Sequence, residues 1–308
     1  MDVRVVVNPK AGSGAAGRRI PEIEAALGRA GVRHRIVQTS APGDATRLAR
    51  EARLDGADCV AVVGGDGTIN EVGQAYLDDR GEPVAGPDLA LIPAGTGGDF
   101  RKTFALGDDI ESAVRRLVES APRPLDLGLL SLTSDEGEPR TKAFLNIASF
   151  GLGGLTDRVV NASPKWMGGR AAFFFGTLRA MASYRNAPVV VRVDGRPCLE
   201  GPILNVAIAN GRYFGGGMKI APDADPSDGL FDVVALYDLT RAQGIGLAYK
   251  IYRGTHPGSP GVQVTRGALV EAAPSRAGDE VLIDMDGETP GRLPLRARVA
   301  QGALRLRA

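Results

Sequence analysis

The chain is poor in the residues on which many enzymes depend. It holds two cysteines, two histidines and one tryptophan in 308 residues. Cys59 and Cys198 lie far apart in sequence and form no metal or redox motif. Cys59 sits inside the apolar run Cys59-Val60-Ala61-Val62-Val63, where a thiol acts as a small hydrophobe. His34 opens a predicted strand and His256 falls in the turn-rich Thr255-His256-Pro257-Gly258. Neither offers a hydrolase triad or a histidine metal site. A charge of one sign is also missing: 37 Lys and Arg face 36 Asp and Glu, a formal net charge of +1. That lacks the basic excess of a nucleic-acid binder, so no nucleic-acid partner is expected. No uncharged apolar run of about 18 residues occurs, which excludes a membrane-spanning helix. The first apolar stretch is too short for a signal peptide, and a cytoplasmic location is expected.

What the chain does contain is strand–helix alternation followed by many strands. Strand-like runs at 3–7, 34–38, 59–63 and 89–93 alternate with amphipathic stretches at 18–30, 44–54 and 68–77. This pattern predicts βαβ units, a parallel sheet with helices on both faces, and a ligand site at the carboxyl ends of the strands. After a helix at 109–120, the segment Ala121-Pro122-Arg123-Pro124 reads as a linker. Beyond it come short strands with turn signals, interrupted by helical patterns at 170–184 and 241–252, which suggests a β-sandwich-like second domain. The expected division is 1–123 and 124–308.

Three glycine-rich loops follow the predicted strands. The first, Asn8-Pro9-Lys10-Ala11-Gly12-Ser13-Gly14-Ala15-Ala16-Gly17, fits G-x-G-x-x-G before a helix. The second strand ends in Gln38-Thr39 with no acid for a ribose hydroxyl, which argues against a dinucleotide site. A phosphate cradle and a merely tight turn both remain open here. The second loop, Gly64-Gly65-Asp66-Gly67-Thr68-Ile69-Asn70-Glu71, is more specific. Glycines flanking Asp66 let backbone approach an anion while the carboxylate reaches a metal. Thr68 is expected to N-cap the next helix, with Glu71 completing a capping box. The third loop, Pro93-Ala94-Gly95-Thr96-Gly97-Gly98-Asp99-Phe100, repeats the logic. Two such loops on neighbouring strands would converge on one polyphosphate.

Taken together, these motifs resemble the diacylglycerol kinase catalytic family, which includes bacterial lipid kinases and sphingosine kinases. The resemblance continues through Phe144-Leu145-Asn146-Ile147, the loop from Asn210 to Met218, Asp228-Gly229-Leu230-Phe231-Asp232 and Asp286-Gly287-Glu288. It implies an N-terminal αβα domain like that of NAD kinase and phosphofructokinase, followed by a mostly β-sandwich domain. It further implies ATP and Mg²⁺ as cofactors. ATP contacts fall on Asn8, Thr39, Gly65, Asp66, Gly67, Thr68, Ile69, Asn70, Glu71, Gly95 and Thr96. Asp66 and Asp99 are associated with Mg²⁺–ATP and activity. Asp225, Asp228 and Leu230 map to a structural Mg²⁺, and Glu288, with Asp286 beside it, to the proton acceptor. The partner implied is a lipid met at a membrane surface through transient, peripheral contact, and a homodimer is compatible with it.

Gly98 departs from the asparagine common in the family, and Arg101-Lys102 follows Phe100 in place of small residues. No Walker-type lysine is present, so Lys10, Arg18, Arg101 and Lys102 all stand as candidates for phosphate charge. The aromatic cluster Trp166, Phe173, Phe174 and Phe175 is a candidate for lipid contact, with ordinary core packing as the alternative. An NAD kinase or phosphofructokinase-like enzyme is the nearest rival reading, and a catalytically silent nucleotide-binding regulator a second. The run Thr68-x-Asn70-Glu71 and the late Asp-Gly-Glu favour the lipid kinase over the first. The joint presence of Asp66, Asp99 and Glu288 speaks against the regulator.

Overall fold

A computed structural model describes residues 1–93, 98–134, 137–161 and 184–308. The expected helix at 170–184, the aromatic cluster from Trp166 to Phe175, and Gly95 and Thr96 fall wholly or almost wholly outside these. Two compact units emerge: Met1–Leu127 with Ala300–Ala308, and Gly128–Val299.

In the first unit, strands β1 (Asp2–Val7), β2 (Arg33–Gln38), β3 (Cys59–Val63) and β4 (Asp88–Leu91) pair in the order β2-β1-β3-β4, each pair parallel. All five residues of β3 are buried, as a strand covered on both faces requires. Helix α2 (Ile20–Arg29) buries Ile23, Ala26 and Leu27, and α6 (Ile110–Glu119) buries Ile110, Ala113, Val114 and Leu117. Both pack into one core with Val3, Val5, Val7, Ala61 and Val63. Each large aliphatic side chain in that core stabilises the unit by ~1.5–3 kcal/mol. Helices α3 (Asp44–Leu54) and α4 (Asp66–Gln74) pack on each other, α3 against β1 and α4 against β3.

The helix expected over 18–30 is found as α2, and a separate short helix, α1 (Ala15–Arg18), precedes it. Pro21 explains the break between them. It has no N–H to donate to Gly17, and its ring would clash with that carbonyl, so it suits the first turn of a new helix. Arg19 fills the gap, donating to the carbonyls of Pro93 (3.2 Å) and Asp108 (3.4 Å). A fifth helix, α5 (Asp99–Thr103), is short.

The C-terminal stretch also departs from the expected division. Strand β14 (Glu288–Arg307) runs on past the second unit, and its end pairs parallel to β4, Leu306 opposite Leu89. Arg305 and Arg307 grip the buried Asp88 at 2.7 and 2.8 Å, a paired internal charge of the kind burial demands. Residues 300–308 thereby join the first unit.

The second unit is rich in antiparallel β structure. Strands β5 (Arg123–Thr133), which starts within the expected linker, and β6 (Pro139–Phe144) form one pair. The long β9 (Arg196–Ala209) pairs with β8 (Ala187–Val193) through its first half. Its second half pairs with β7 (Ile147–Gly151) and β10 (Phe231–Tyr237). Strand β11 (Val262–Gly267) adds to β10, β12 (Leu269–Pro274) links β8 to β14, and β13 (Leu282–Met285) lies between β7 and β14. Helix α7 (Leu152–Asn161) follows β7. Helix α8 (Arg241–Arg253) is N-capped by Thr240 in a capping box with Gln243 and ends on left-handed Gly254.

Candidate active site

In the first unit the carboxyl ends of three adjacent strands are laced together. The Asn8 amide donates to the Val63 carbonyl and the Thr39 amide to the Val7 carbonyl, both at 2.9 Å. Asn8 Nδ2 donates to Thr68 Oγ1 at 3.1 Å. Asn8, Thr39 and the turn after β3 thus lie together, as the sequence motifs require of a common site.

The turn differs from expectation in its capping. Helix α4 begins at Asp66, two residues earlier than the proposed cap at Thr68, and its N-cap is Gly65 in extended conformation. Thr68 is inside the helix and bonded to Asn8. Glu71 does not fold back on the turn. Its Oε2 accepts from the Ala45 amide at 3.1 Å, satisfying a donor at the start of α3, while its carbonyl accepts from Thr46 Oγ1. Buried Asn70 accepts from Gln74. Ile69 is core. Thr68 and Glu71 therefore dock α4 onto its neighbours, while the Asn70–Gln74 bond lies within the helix. Gly64 belongs to this packing, because a Cβ there would stand 2.5 Å from Thr68 Oγ1. At Gly65 and Gly67 a Cβ would meet none of the described residues, which leaves room for an anion at the α4 N-terminus.

Asp66 joins the second loop to the third. Its two carboxylate oxygens accept the amides of Asp99 (2.8 Å) and Phe100 (3.2 Å), closing the first turn of α5. Burial pushes its carboxyl above the usual range, Asp99 adds to this, and the two amides and Lys102 pull it back. Asp99 is itself buried, with Lys102 Nζ 2.6 Å from Oδ1. Arg101 pairs with Asp108. Of the candidate phosphate cations, Lys102 and Arg101 thus have carboxylate partners of their own. Arg18 Nη1 reaches the Ser13 carbonyl at 3.4 Å, and Lys10 is exposed.

The first glycine loop is a tight turn. Gly12, Ser13 and Gly14 are all left-handed, and the amides of residues 14–17 are taken by the carbonyls of Lys10, Gly12, Ala11 and Pro9 respectively. Those groups are not directed at a ligand. Both histidines are structural. His34 Nδ1 is 2.8 Å from the Val32 carbonyl. His256 is fully buried, with Nε2 2.9 Å from the Ile220 carbonyl, and burial lowers its pKa.

In the second unit three motifs distant in sequence meet. Asp286 and Gly287 both have positive φ (51° and 89°) and form a two-residue hairpin between β13 and β14. The Asp286 carboxylate accepts the amides of Leu145 (3.0 Å), Asn146 (3.2 Å) and Ile147 (2.8 Å). The amides of Asn210 and Gly211 both donate to the Asn146 carbonyl, and Asn146 Nδ2 donates to the Tyr213 carbonyl at 2.8 Å. The hairpin sets Glu288 opposite Met285 as the first residue of β14. Its carboxylate is 44% exposed, with Lys142 Nζ 4.0 Å away. Asp284, absent from the sequence-based site, holds the hairpin from within: it is buried, accepting from Ser149 Oγ (3.1 Å) and the Gly287 amide (3.0 Å). A charged residue at an inward position of the strand Leu282-Ile283-Asp284-Met285 was the signal for it.

Around the proposed structural Mg²⁺ position, Asp225 Oδ1 accepts the amide (3.1 Å) and hydroxyl (2.6 Å) of Ser227, and Asp228 Oδ1 accepts the Leu230 amide (3.0 Å). Arg266 pairs with the other oxygen of Asp228 and lies 3.4 Å from Oδ2 of buried Asp232. That Asp232 oxygen has no well-formed hydrogen bond, and burial raises its carboxyl pKa, with Arg266 opposing. The donors are all oxygen and outnumber the single guanidinium in charge, which suits a hard cation. Among the described residues no cluster of three or more His, Cys, Asp or Glu side chains is arranged to hold a metal, so such an ion would need backbone oxygens as well.

A cavity of about 890 Å³ in the first unit lies at the opposite, amino ends of the strands, bordered by Met1, Asp58 and Asp88, and no residue discussed above as a ligand contact lines it.

Known proteins resemble the chain along almost its whole length. Residues 2–130 match the diacylglycerol kinase catalytic domain, and residues 146–308 match the YegS C-terminal NAD kinase beta sandwich-like domain. A diacylglycerol kinase of Bacillus subtilis is 31% identical over 296 residues, covering 94% of this chain and 91% of that protein. A crystal structure of a putative diacylglycerol kinase from Bacillus anthracis superposes with a TM-score of 0.76 at 24% identity, covering 99% of this chain and 94% of that one. An NAD kinase from Archaeoglobus fulgidus, solved in complex with ATP, shares the fold at a TM-score of 0.50 and 14% identity, over 99% of this chain and 92% of its own.

Proposed function

We propose, from the premise that the chain belongs to the diacylglycerol kinase family and is a lipid kinase, that it moves the γ-phosphoryl group of ATP to the hydroxyl of a diacylglycerol-like lipid. The observation that carries the nucleotide half is the turn after β3. There the polar side chains are engaged in packing while the backbone of Gly65–Gly67 stays open at a helix N-terminus. Amides in that setting favour phosphate oxygens through hydrogen bonds and the helix dipole.

Phosphoryl transfer asks for positioning and charge stabilisation more than covalent chemistry. The turn at Gly65–Gly67 would bind the phosphates, and Asn8 and Thr39 would border it. Asp66 keeps the third loop in register through the α5 amides and is a candidate ligand for a phosphate-bound cation. Mg²⁺, when bound, neutralises phosphate charge, and a second ion at Asp225, Asp228 and the Leu230 carbonyl would stabilise its loop. Glu288 is assigned as proton acceptor: as the acceptor oxygen bonds to phosphorus, its O–H breaks, the proton passes to the Glu288 carboxylate and ADP leaves. Its partial exposure, with Lys142 Nζ 4.0 Å away, supports an accessible base. Asp286 positions it by fixing the hairpin.

Among the described residues no helix is long and apolar enough to cross a membrane, so lipid would be met by peripheral, transient contact. The test is an acceptor screen with purified protein and labelled ATP: diacylglycerol in mixed micelles, NAD⁺ and a sugar phosphate. Labelled lipid in a Mg²⁺-dependent reaction is expected. Label on NAD⁺ or sugar phosphate with none on lipid would overturn the acceptor assignment.

A further inference from the structure

Helix α8 is apolar on two faces. One, with Leu247 and Ile251, is buried in a core with Ile147, Ala207, Val234 and Leu236. The other carries Ile245, Tyr249 and Tyr252, which are 58%, 67% and 50% exposed. Their spacing of four and three residues puts them in one stripe. Val264 on the edge strand β11 extends the apolar surface: it is 42% exposed and pairs with Val234, on the sheet face that α8 covers. A helix that has already buried one face and still presents aromatic and aliphatic side chains to water marks a contact surface.

The helix itself carries charge of one sign. From Thr240 to Gly254 the chain has no acidic residue and three basic ones, Arg241, Lys250 and Arg253, whereas Arg266 on β11 is already paired with Asp228 and Asp232. Lys250 and Arg253 are exposed on α8, and the Arg253 guanidinium sits 5.7 Å from the Tyr249 ring centroid and donates to its hydroxyl at 3.0 Å. Tyrosine beside arginine and lysine is the composition favoured at a bilayer's headgroup level, where the rings sit among acyl-chain ends and the cations meet anionic lipid. A second copy of the chain fits poorly. A two-fold contact through this helix would bring its own cations together, and one strip of three side chains falls well short of the ~800 Å² per partner of a stable dimer.

We propose that the Ile245–Tyr249–Tyr252 face of α8 docks the protein on an anionic lipid bilayer. The proposal rests on the lipid kinase reading only in supplying a reason for docking. Flotation with phosphatidylcholine vesicles, with and without phosphatidylglycerol, tests it directly. The wild type should float with the anionic vesicles and release as salt rises. Ile245→Ser/Tyr249→Ser/Tyr252→Ser should lose at least about tenfold in vesicle affinity, and Lys250→Glu/Arg253→Glu should lose the preference for anionic lipid. Both variants should keep the wild-type melting temperature and turnover on a monomeric short-chain diacylglycerol. Unchanged vesicle binding in both variants overturns the proposal, even if lipid is phosphorylated. Lost binding sustains it, even if the acceptor proves not to be a lipid. A wild-type dimer in sedimentation equilibrium that the serine variant dissociates would give the face to a second copy instead.

Discussion

The turn after β3 and the hairpin between β13 and β14 are built alike up to a point. Each follows a strand and carries an aspartate beside glycine, and in each that aspartate clamps another loop: Asp66 takes two amides at the start of α5, Asp286 three amides at 145–147. What is left over differs. The first turn offers open backbone at Gly65 and Gly67, and the second offers one partly exposed carboxylate, Glu288. The lesson is that the most recognisable acid of a motif can be its scaffold, which leaves the neighbours as candidates for the chemistry.

The largest expected effect comes from removing a scaffold. Asp286→Ala strips the acceptor from three backbone amides and should cost on the order of 3 kcal/mol or more in urea unfolding. A variant within about 0.5 kcal/mol of wild type yet inactive would mean that the carboxylate acts in the reaction and is no clamp. Asp66→Asn should cost less, ~1–3 kcal/mol, because its amide keeps one acceptor and turns an N–H₂ toward a donor. Full stability with lost activity would move Asp66 from scaffold to chemistry.

Gly65→Ala inverts the comparison. Gly65 has φ −95°, which alanine tolerates, and a Cβ there meets none of the described residues, so melting temperature should barely change. ATP affinity by calorimetry should fall about tenfold or more, ~1.4 kcal/mol, as the methyl group screens the amides. Unchanged affinity would remove the phosphates from this turn. The smallest effect is a pH slope away from both sites. The folded pKa of His256 lies below the unfolded value, so its contribution is intact above about 6.5 and is lost as pH falls below it, at less than ~1.4 kcal/mol per unit. His256→Gln should flatten this part of a stability–pH curve. A slope that persists unchanged would assign it to other groups.

Local signals were readable in the sequence. Strand β3 and helix α3 occupy the residues that their patterns predict, one as a continuous apolar run and the other as a stripe of Leu48 and Ala52. The partners of Glu71 and Thr68 were not readable. An acid three residues after threonine fits a capping box, and only the packing of α3 beside α4 reveals that Glu71 serves Ala45 instead. The return of residues 300–308 to the first unit was equally hidden. Leu304 and Leu306 alternate with Arg305 and Arg307 as any half-buried strand would, and nothing local names β4 as partner. For the candidate site, order and company of motifs nominated the residues but could not divide clamp from proposed base within Asp286-Gly287-Glu288.

That division is tested most directly by Glu288→Gln. Steady-state kinetics with diacylglycerol in mixed micelles would be set beside the ATP dissociation constant and melting temperature of the same preparation. With Glu288 as proton acceptor, kcat should fall by about 10²-fold or more while ATP affinity and stability stay at wild-type values. A variant that turns over lipid at near the wild-type rate, or that loses ATP binding instead of kcat, would contradict the account.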